Sequence, residues 1–73
     1  MKAFQFWYKF DENTPTEYIY IIAVSLKQAQ YFYKRLGYTR MFDYSLVPTR
    51  VIDKSAFNFI HAIGDVLGQD AII

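Results

Sequence analysis

The chain has 73 residues, among them seven Phe, seven Tyr and one Trp, while Cys is absent and histidine occurs once. A chain this short is expected to fold as a single domain, 1–73, and without cysteine it has neither disulfides nor thiolate zinc sites. Its formal net charge of +1 is too small to indicate nucleic-acid binding by itself.

A membrane or secreted protein is not expected. The longest apolar run, 18–24, falls well short of the roughly 20 apolar residues that a membrane-spanning helix needs. The N-terminus places a lysine ahead of aromatic residues, but Gln5 and Lys9 interrupt the segment and no small-residue cleavage site follows. We therefore expect a mature N-terminus, no membrane contact and a cytoplasmic location.

Residues 3–10 alternate in the manner of a β-strand. One face is wholly aromatic, with Phe4, Phe6, Tyr8 and Phe10. The other face is mixed, with Ala3, Gln5, Trp7 and Lys9. The segment 11–17 is rich in turn formers and predicts a loop. The β-branched and aromatic segment 18–24 then predicts a second strand, paired with the first as a hairpin.

A first helix is predicted to begin at Ser25. Ser25 and Gln28 fit a capping box, in which each side chain bonds a backbone amide at the helix start. Gly37 is expected to end the helix, because glycine readily adopts the left-handed conformation that closes one. The buried stripe of this helix is expected to contain Leu26, Ala29, Phe32 or Tyr33, and Leu36.

The second half of the chain predicts one more strand and one more helix. The segment 38–47 alternates and Pro48 stops it. A second helix is expected to begin at Asp53 or Ser55. Gly64 either ends that helix early or lies inside it at a cost of about 1 kcal/mol relative to Ala. Its apolar stripe is expected to contain Ala56, Phe59, Ile60 and Ile63, extended in one interpretation by Val66 and Leu67.

The element order β-β-α-β-α predicts a small single-domain α+β sandwich, in which a three-stranded, mainly antiparallel sheet carries two helices. The preferred strand order is 2-1-3, with the first strand central, antiparallel to both neighbours, and the first helix on its aromatic face. Order 1-2-3 is the alternative, because 18–24 is apolar enough to be central.

Residues suited to catalysis are sparse. His61 is the sole histidine. Asp65, four residues later in the predicted second helix, would orient it, but such a pair is also a routine surface contact. Asp43 is expected to pair with Arg40 or Lys9 across the sheet. No phosphate-binding loop, nucleophile elbow or dinucleotide motif is present. We therefore expect no catalytic residue, no metal site, no cofactor and no enzymatic activity.

A basic and aromatic set of residues lies on the predicted outer face of the first helix. From 18 to 42 the chain has four cations and no acid. Such a surface can stack on bases and neutralise phosphates, or it can contact a protein. It also fits the solvated side of an ordinary amphipathic helix. The set comprises Lys27, Gln30, Tyr31, Lys34 and Arg35, followed by Tyr38 and Arg40.

Trp7 lies on the mixed face of the first strand, away from the predicted core. If the second helix does not cover that face, Trp7 is expected to form an exposed patch with Met41, Ile19 and Ile21. A patch of that size is more than a soluble monomer normally exposes. It therefore predicts a homodimer or a docking surface.

The strand-to-helix stretch 20–29 (YIIAVSLKQA) is typical of very small α+β domains. In this stretch, in its length, and in its abundance of Tyr, Phe, Ile and Lys, the chain resembles the small proteins of phages and prophages from AT-rich Gram-positive bacteria. The resemblance implies a non-enzymatic protein that binds a host macromolecule.

The expected function is a non-catalytic protein-binding module, with a phage-encoded inhibitor of a host protein as its specific form. The partner is expected to be a host protein or a second copy of the chain. The alternatives are a nucleic-acid-binding protein that uses the basic and aromatic helix face, and a structural homo-oligomer. The expected contact residues are Trp7, Lys27, Tyr31, Lys34, Arg35, Tyr38 and Arg40.

Overall fold

The structure is a computed structural model that describes residues 1–53 and 61–68 of the chain. Within these residues an antiparallel sheet of five strands carries one α-helix, so the predicted α+β class is confirmed. The predicted count of three strands and two helices does not match this arrangement. Across the same residues, no helix is long and apolar enough to cross a bilayer.

Two long strands form the centre of the sheet. β1 spans Lys2–Lys9 and β2 spans Glu17–Ala23, and they pair antiparallel as the predicted hairpin. In the connection between them, the Asp11 carboxylate accepts hydrogen bonds from the backbone N–H groups of Asn13 and Thr14, at 2.8 and 3.0 Å. An aspartate that bonds its own backbone two residues on is a common way to fix a turn.

Short strands flank the hairpin on both sides. β3 (Asp43–Tyr44) and β4 (Arg50–Asp53) each pair antiparallel with β1, and β5 (Val66–Gly68) pairs antiparallel with β2. The main path runs β3-β1-β2-β5, so β1 lies between β2 and β3 as the preferred order places it. β2 is internal as well, which explains why 18–24 is apolar on both faces.

The helix α1 spans Leu26–Arg35 and begins as the capping box predicts. The Ser25 hydroxyl accepts from the Gln28 N–H at 3.2 Å. The Gln28 side chain reaches one residue farther back than expected, and its Oε1 accepts from the Val24 N–H at 2.8 Å. Gly37, with φ of 93°, follows the helix in the left-handed conformation.

α1 packs on the aromatic face of β1, as predicted. Its buried contact is narrower than expected, since Leu26 and Leu36 are exposed at the two ends of the helix and Phe32 is only half-buried. Ala29 and Tyr33, in the middle of the helix, supply the contact. The main core cluster consists of Phe4, Phe6, Ile19, Ile21, Ala23, Ala29 and Tyr33.

The hairpin register corrects the predicted patch around Trp7. Trp7 lies opposite Tyr18, and Phe6 lies opposite Ile19. Directly opposed residues of an antiparallel pair share a face, so Ile19 and Ile21 lie on the α1 side and are buried there. The Trp7 side has its own buried cluster of Ala3, Tyr20, Ile22 and Ile52.

Within the predicted third strand, 38–47, only Asp43–Tyr44 pairs in the sheet. The chain leaves the left-handed Gly37 into a 3₁₀ helix at Tyr38–Arg40, in which the Arg40 N–H donates to the Gly37 carbonyl at 3.0 Å. The alternation of 38–47 predicts a strand, but the Tyr38 ring stacks on Tyr33 at a centroid distance of 5.2 Å. This packing holds Tyr38 in the 3₁₀ helix and not in a strand.

The predicted second helix is wrong over 61–68. The Asp65 N–H donates to the Ala62 carbonyl at 3.1 Å, Gly64 has φ of 94°, and β5 follows. A residue at positive φ cannot continue a right-handed helix, and over 61–68 Gly64 lies in a turn before β5 and not inside a helix. The rest of the prediction, 54–60, lies outside the described residues, as does the tail 71–73. The homo-oligomer expected to form through them stays a prediction.

Candidate functional site

Four of the expected contact residues lie together on the solvent side of α1. We call them the basic helix face: Lys27, Tyr31, Lys34 and Arg35. All four are exposed, because Ala29 and Tyr33 turn the opposite side of the helix to the sheet. Gln30, also expected here, is half-buried, and its amide donates to the Leu46 carbonyl at 2.7 Å.

The ring of Tyr31 is held in place but stays open to solvent. Arg35, one turn later, donates from Nη1 to the Tyr31 hydroxyl at 3.2 Å. The Tyr31 and Phe32 rings form a T-shaped contact with centroids 5.7 Å apart. Even so, Tyr31 remains 55% exposed, so the basic helix face presents an oriented aromatic ring beside an arginine.

The charges on this face are all positive. Lys34 and Arg35 lie in the last turn of α1, where cations interact favourably with the negative end of the helix dipole. Lys27 lies in the first turn, where the dipole disfavours a cation. Helix stability therefore accounts for the first two cations and does not account for Lys27.

Tyr38 does not belong to the basic helix face. The expected helical spacing 27-31-34-38 breaks at Gly37, and Tyr38 is half-buried between Tyr33 and Tyr8. Burial raises the pKa of Tyr38. Arg40, at the end of the 3₁₀ helix, is exposed.

Five aromatic rings contact one another in sequence from the core to the surface, in the order Phe6, Tyr33, Tyr38, Tyr8 and Phe10. The centroids of neighbouring rings in this order are 4.5, 5.2, 4.9 and 5.4 Å apart, within the range of favourable aromatic pairs. Phe6 at one end is fully buried, and Phe10 at the other is 57% exposed. Alternation in 3–10 identified the strand members but not the others. We call this the ring series: Phe6, Tyr33, Tyr38, Tyr8 and Phe10.

The hydroxyl of Tyr33 fills a gap in the sheet. β4 pairs with residues 2–5 of β1 and β3 with residues 8–9, so among the described strands neither covers the carbonyl of Trp7. Tyr33 donates to that carbonyl at 2.6 Å. Burial raises the pKa of Tyr33 to about 12, against a smaller lowering by a backbone hydrogen bond from Ser45. The phenol therefore stays a donor at physiological pH.

Trp7 lies on the face of the sheet away from α1, so the structure does not bring it to the basic helix face. It lines a depression of about 340 Å³, the Trp7 depression, whose other lining residues are Lys9, Thr16, Tyr18, Asp43 and Thr49. Asp43 lies opposite Lys9 in the register, as one of the two predicted alternatives placed it, but the two side chains form no ion pair within 4.0 Å. Of the lining residues the sequence predicts only Trp7 as a contact residue, because the grouping of the others depends on how β2 and β3 pair with β1.

A turn brings His61 and Asp65 together. His61 Nδ1 and Asp65 Oδ2 are 3.9 Å apart, and the same carboxylate oxygen accepts from the Ala62 N–H at 2.9 Å. The carboxylate thus fixes the turn that precedes β5. Over the described residues, no cluster of three or more His, Cys, Asp or Glu side chains is placed to hold a metal ion.

No protein-family model, curated protein or solved structure matches this chain. Because function resides in sites rather than in folds, the basic helix face and the Trp7 depression are the features from which a function can be argued.

Proposed function

We propose that this protein is a non-catalytic protein-binding module that docks on an acidic surface of a partner protein through the basic helix face. The observation that carries the proposal is the Tyr31 ring, 55% exposed and oriented by its hydrogen bond from Arg35. Tyr and Arg are the residues, with Trp, that most often dominate the binding energy of protein interfaces.

The fixed orientation of the Tyr31 side chain favours a role in binding a partner protein. A side chain already held in one orientation loses less conformational freedom when a partner covers it. The ring also keeps apolar area available, since it remains 55% exposed despite its contacts with Arg35 and Phe32. Such a ring serves as a preformed anchor.

The charges of the face indicate the kind of partner. Lys27, Lys34 and Arg35 surround Tyr31, and no acid occurs from 18 to 42. Complementary potentials speed association and exclude like-charged partners. Lys27 supports this interpretation further, because a cation in the first turn brings the helix no electrostatic benefit. An acidic patch with a shallow apolar centre is the matching surface.

The more specific proposal is that the protein is a phage-encoded inhibitor that binds over a functional surface of a host protein. The resemblance of the chain to small phage and prophage proteins supports this form. An inhibitor of this kind needs a rigid scaffold and a contact patch, and α1 docked on the hairpin supplies both.

Affinity capture with the full chain tests the proposal. The test variant is Lys27→Glu/Tyr31→Ala, and the matched control is Lys2→Glu, which changes one exposed lysine on β1. Lysates are treated with nuclease and the bound proteins identified by mass spectrometry. We expect the test variant to lose an acidic protein that the parent chain and the control both retain. Identical captures by all three chains would contradict the proposal.

A nucleic-acid-binding role is the second candidate, because the same face sets an exposed ring among three cations. Proteins that bind single strands combine stacking rings with cations that follow the backbone. Three phosphate contacts predict a log–log salt slope of about −2 for a single strand. An isotherm that does not change with salt removes this candidate.

A further inference from the structure

The Trp7 depression lies across the sheet from the basic helix face and carries an independent inference. Its lining combines two aromatic rings, one lysine, one aspartate and two threonines. At about 340 Å³ it falls at the lower end of the roughly 300–1,000 Å³ that small-molecule sites occupy. The site is therefore large enough for one small ligand.

Two aromatic rings line the depression. Trp7 and Tyr18 lie directly opposite each other on β1 and β2, which sets their Cβ atoms roughly 4.5–5.5 Å apart. Both are half-buried. Neither ring takes part in the ring–ring contacts found among the described residues. Stacking on another described aromatic ring therefore does not take up their faces.

A hydrogen-bond donor, Lys9, and an acceptor, Asp43, line the depression beside these rings. Lys9 follows Trp7 by two residues on the same face of β1, and Asp43 lies opposite Lys9 on β3. Among the described residues, the one contact within 4.0 Å between a basic side chain and a carboxylate is that of His61 and Asp65. Lys9 and Asp43 therefore do not form an ion pair with each other. Asp43 Oδ1 accepts from the Tyr44 N–H at 2.9 Å. Because each carboxylate oxygen can accept two hydrogen bonds, Oδ2 and the second lone pair of Oδ1 are left for two further donors.

One wall of the depression is already fixed. Thr49 donates from its hydroxyl to Gln5 Oε1 at 2.7 Å and from its backbone N–H to the Gln5 carbonyl at 2.9 Å. The Gln5 amide in turn donates to the Tyr20 hydroxyl at 3.2 Å. A preformed wall lowers the ordering cost of binding.

The pattern of donors and acceptors favours guanine over the other bases. Adenine and cytosine also place one donor beside one acceptor, but they lack a ring N–H as a second donor for the other carboxylate oxygen. A lysine only donates and a carboxylate only accepts. Guanine alone of the common bases places two N–H donors, on N1 and N2, beside one carbonyl oxygen, O6. The pair Lys9 and Asp43 complements that edge, and its zero net charge suits a neutral base.

We infer that the Trp7 depression binds a guanine base, stacked on Trp7 and Tyr18, with O6 bonded by Lys9 and the N1 and N2 donors bonded by Asp43. The base is the recognised group, whether it belongs to a free guanine nucleotide or to a single strand. Stacking on aromatic side chains combined with hydrogen bonding at the base edge is the general mode by which proteins read unpaired bases.

The single tryptophan of the chain makes the test direct, since all tryptophan fluorescence comes from Trp7. The full chain is titrated with guanosine and, separately, with adenosine. We expect saturable quenching by guanosine and binding of adenosine weaker by about tenfold or more, in line with the discrimination that one bidentate base contact supplies. No saturable quenching, or equal binding of both nucleosides, overturns the inference.

The edge contacts are tested with Asp43→Asn, against Asp53→Asn as a matched control at another exposed strand position. We expect Asp43→Asn to weaken guanosine binding about tenfold and to leave adenosine unchanged, while Asp53→Asn behaves as the parent chain. Unchanged guanosine binding by Asp43→Asn overturns the inference. If circular dichroism shows that Asp43→Asn is unfolded, Lys9→Gln takes its place with the same expected loss.

Two further titrations identify the source of the base. Guanosine 5′-monophosphate is compared with a short single-stranded RNA of guanines, and a strand of adenines serves as the control. Tighter binding of either guanine form supports the inference and names the source, whereas equal binding of the adenine strand contradicts it. The basic helix face variant Lys27→Glu/Tyr31→Ala is expected to bind guanosine normally, so failure of the proposed protein-binding function leaves this result unaffected.

Discussion

The two faces of the sheet are covered to different extents. On the α1 side, Phe6 and Tyr33 are fully buried against each other, and the core continues into the ring series. On the other side, burial is complete around Ala3 and Ile22, while Trp7 and Tyr18 at the far end of the hairpin line an open depression. One face of the hairpin therefore serves mainly stability, and one end of the other face is left available for contact.

The largest expected effect contrasts neighbours on these two faces. Phe6→Ala removes a fully buried ring and is expected to lower the free energy of unfolding by about 3–5 kcal/mol. Trp7→Ala, one residue away, removes a half-buried ring and is expected to cost about 1 kcal/mol. Urea denaturation measures both values. Equal losses would refute the assignment of stability to the α1 side.

A titration to high pH examines the same core. In the unfolded chain Tyr33 ionises near its ordinary pKa of 10.0, and in the folded chain its pKa is raised to about 12. The stability due to the neutral phenol is thus fully present below pH 10 and is lost as the pH rises toward 12. We expect the free energy of unfolding to fall by about 2–3 kcal/mol over that interval. Urea unfolding curves, each recorded at one fixed pH, measure this fall. Tyr33→Phe should flatten this part of the profile, and an equally steep fall in that variant would contradict the assignment.

A smaller effect is expected from the hydroxyl of Tyr33 at neutral pH. Tyr33→Phe leaves the Trp7 carbonyl without its 2.6 Å partner and should cost about 1–3 kcal/mol. The matched control, Tyr31→Phe, removes a hydroxyl on the exposed side of α1 and should cost less than about 0.5 kcal/mol. If the two substitutions have the same effect on the unfolding free energy, the gap in the sheet does not depend on the phenol.

The smallest effect concerns the start of α1. Ser25→Ala removes the acceptor for the Gln28 N–H and is expected to lower stability by about 1 kcal/mol. Ser25→Asp keeps an acceptor at the same place and should retain the parent stability. Thermal and urea unfolding of the two variants give the comparison, and a loss in Ser25→Asp as large as in Ser25→Ala would show that the cap is not responsible.

The hairpin and α1 could be predicted because their signals are local. Alternation in 3–10, the pairing of Ser25 with Gln28, and the position of Gly37 each act within a few residues. β3 and β4 could not, since strands of two and four residues are defined by the edge of β1 that they meet. The turn at Gly64 was missed because Ile63, Val66 and Leu67 fit helical spacing as well as they fit a turn and a strand.

The candidate site divides along the same line. The common face of Lys27, Tyr31 and Lys34 follows from helical periodicity alone. Tyr38 was wrongly joined to that face, because its position depends on packing against Tyr33. The neighbours of Trp7 depend on the pairing of distant strands, which composition and spacing do not specify.

The bond from Tyr33 to Trp7 also bears on how the molecule assembles. β3 and β4 meet β1 on either side of the Trp7 carbonyl, and among the described residues the donor to that carbonyl is Tyr33 of α1. We therefore expect this edge of the sheet to form together with the docking of α1. We expect the backbone amides of 43–53 to exchange with solvent deuterium at the same rate as those of α1, as one folding unit.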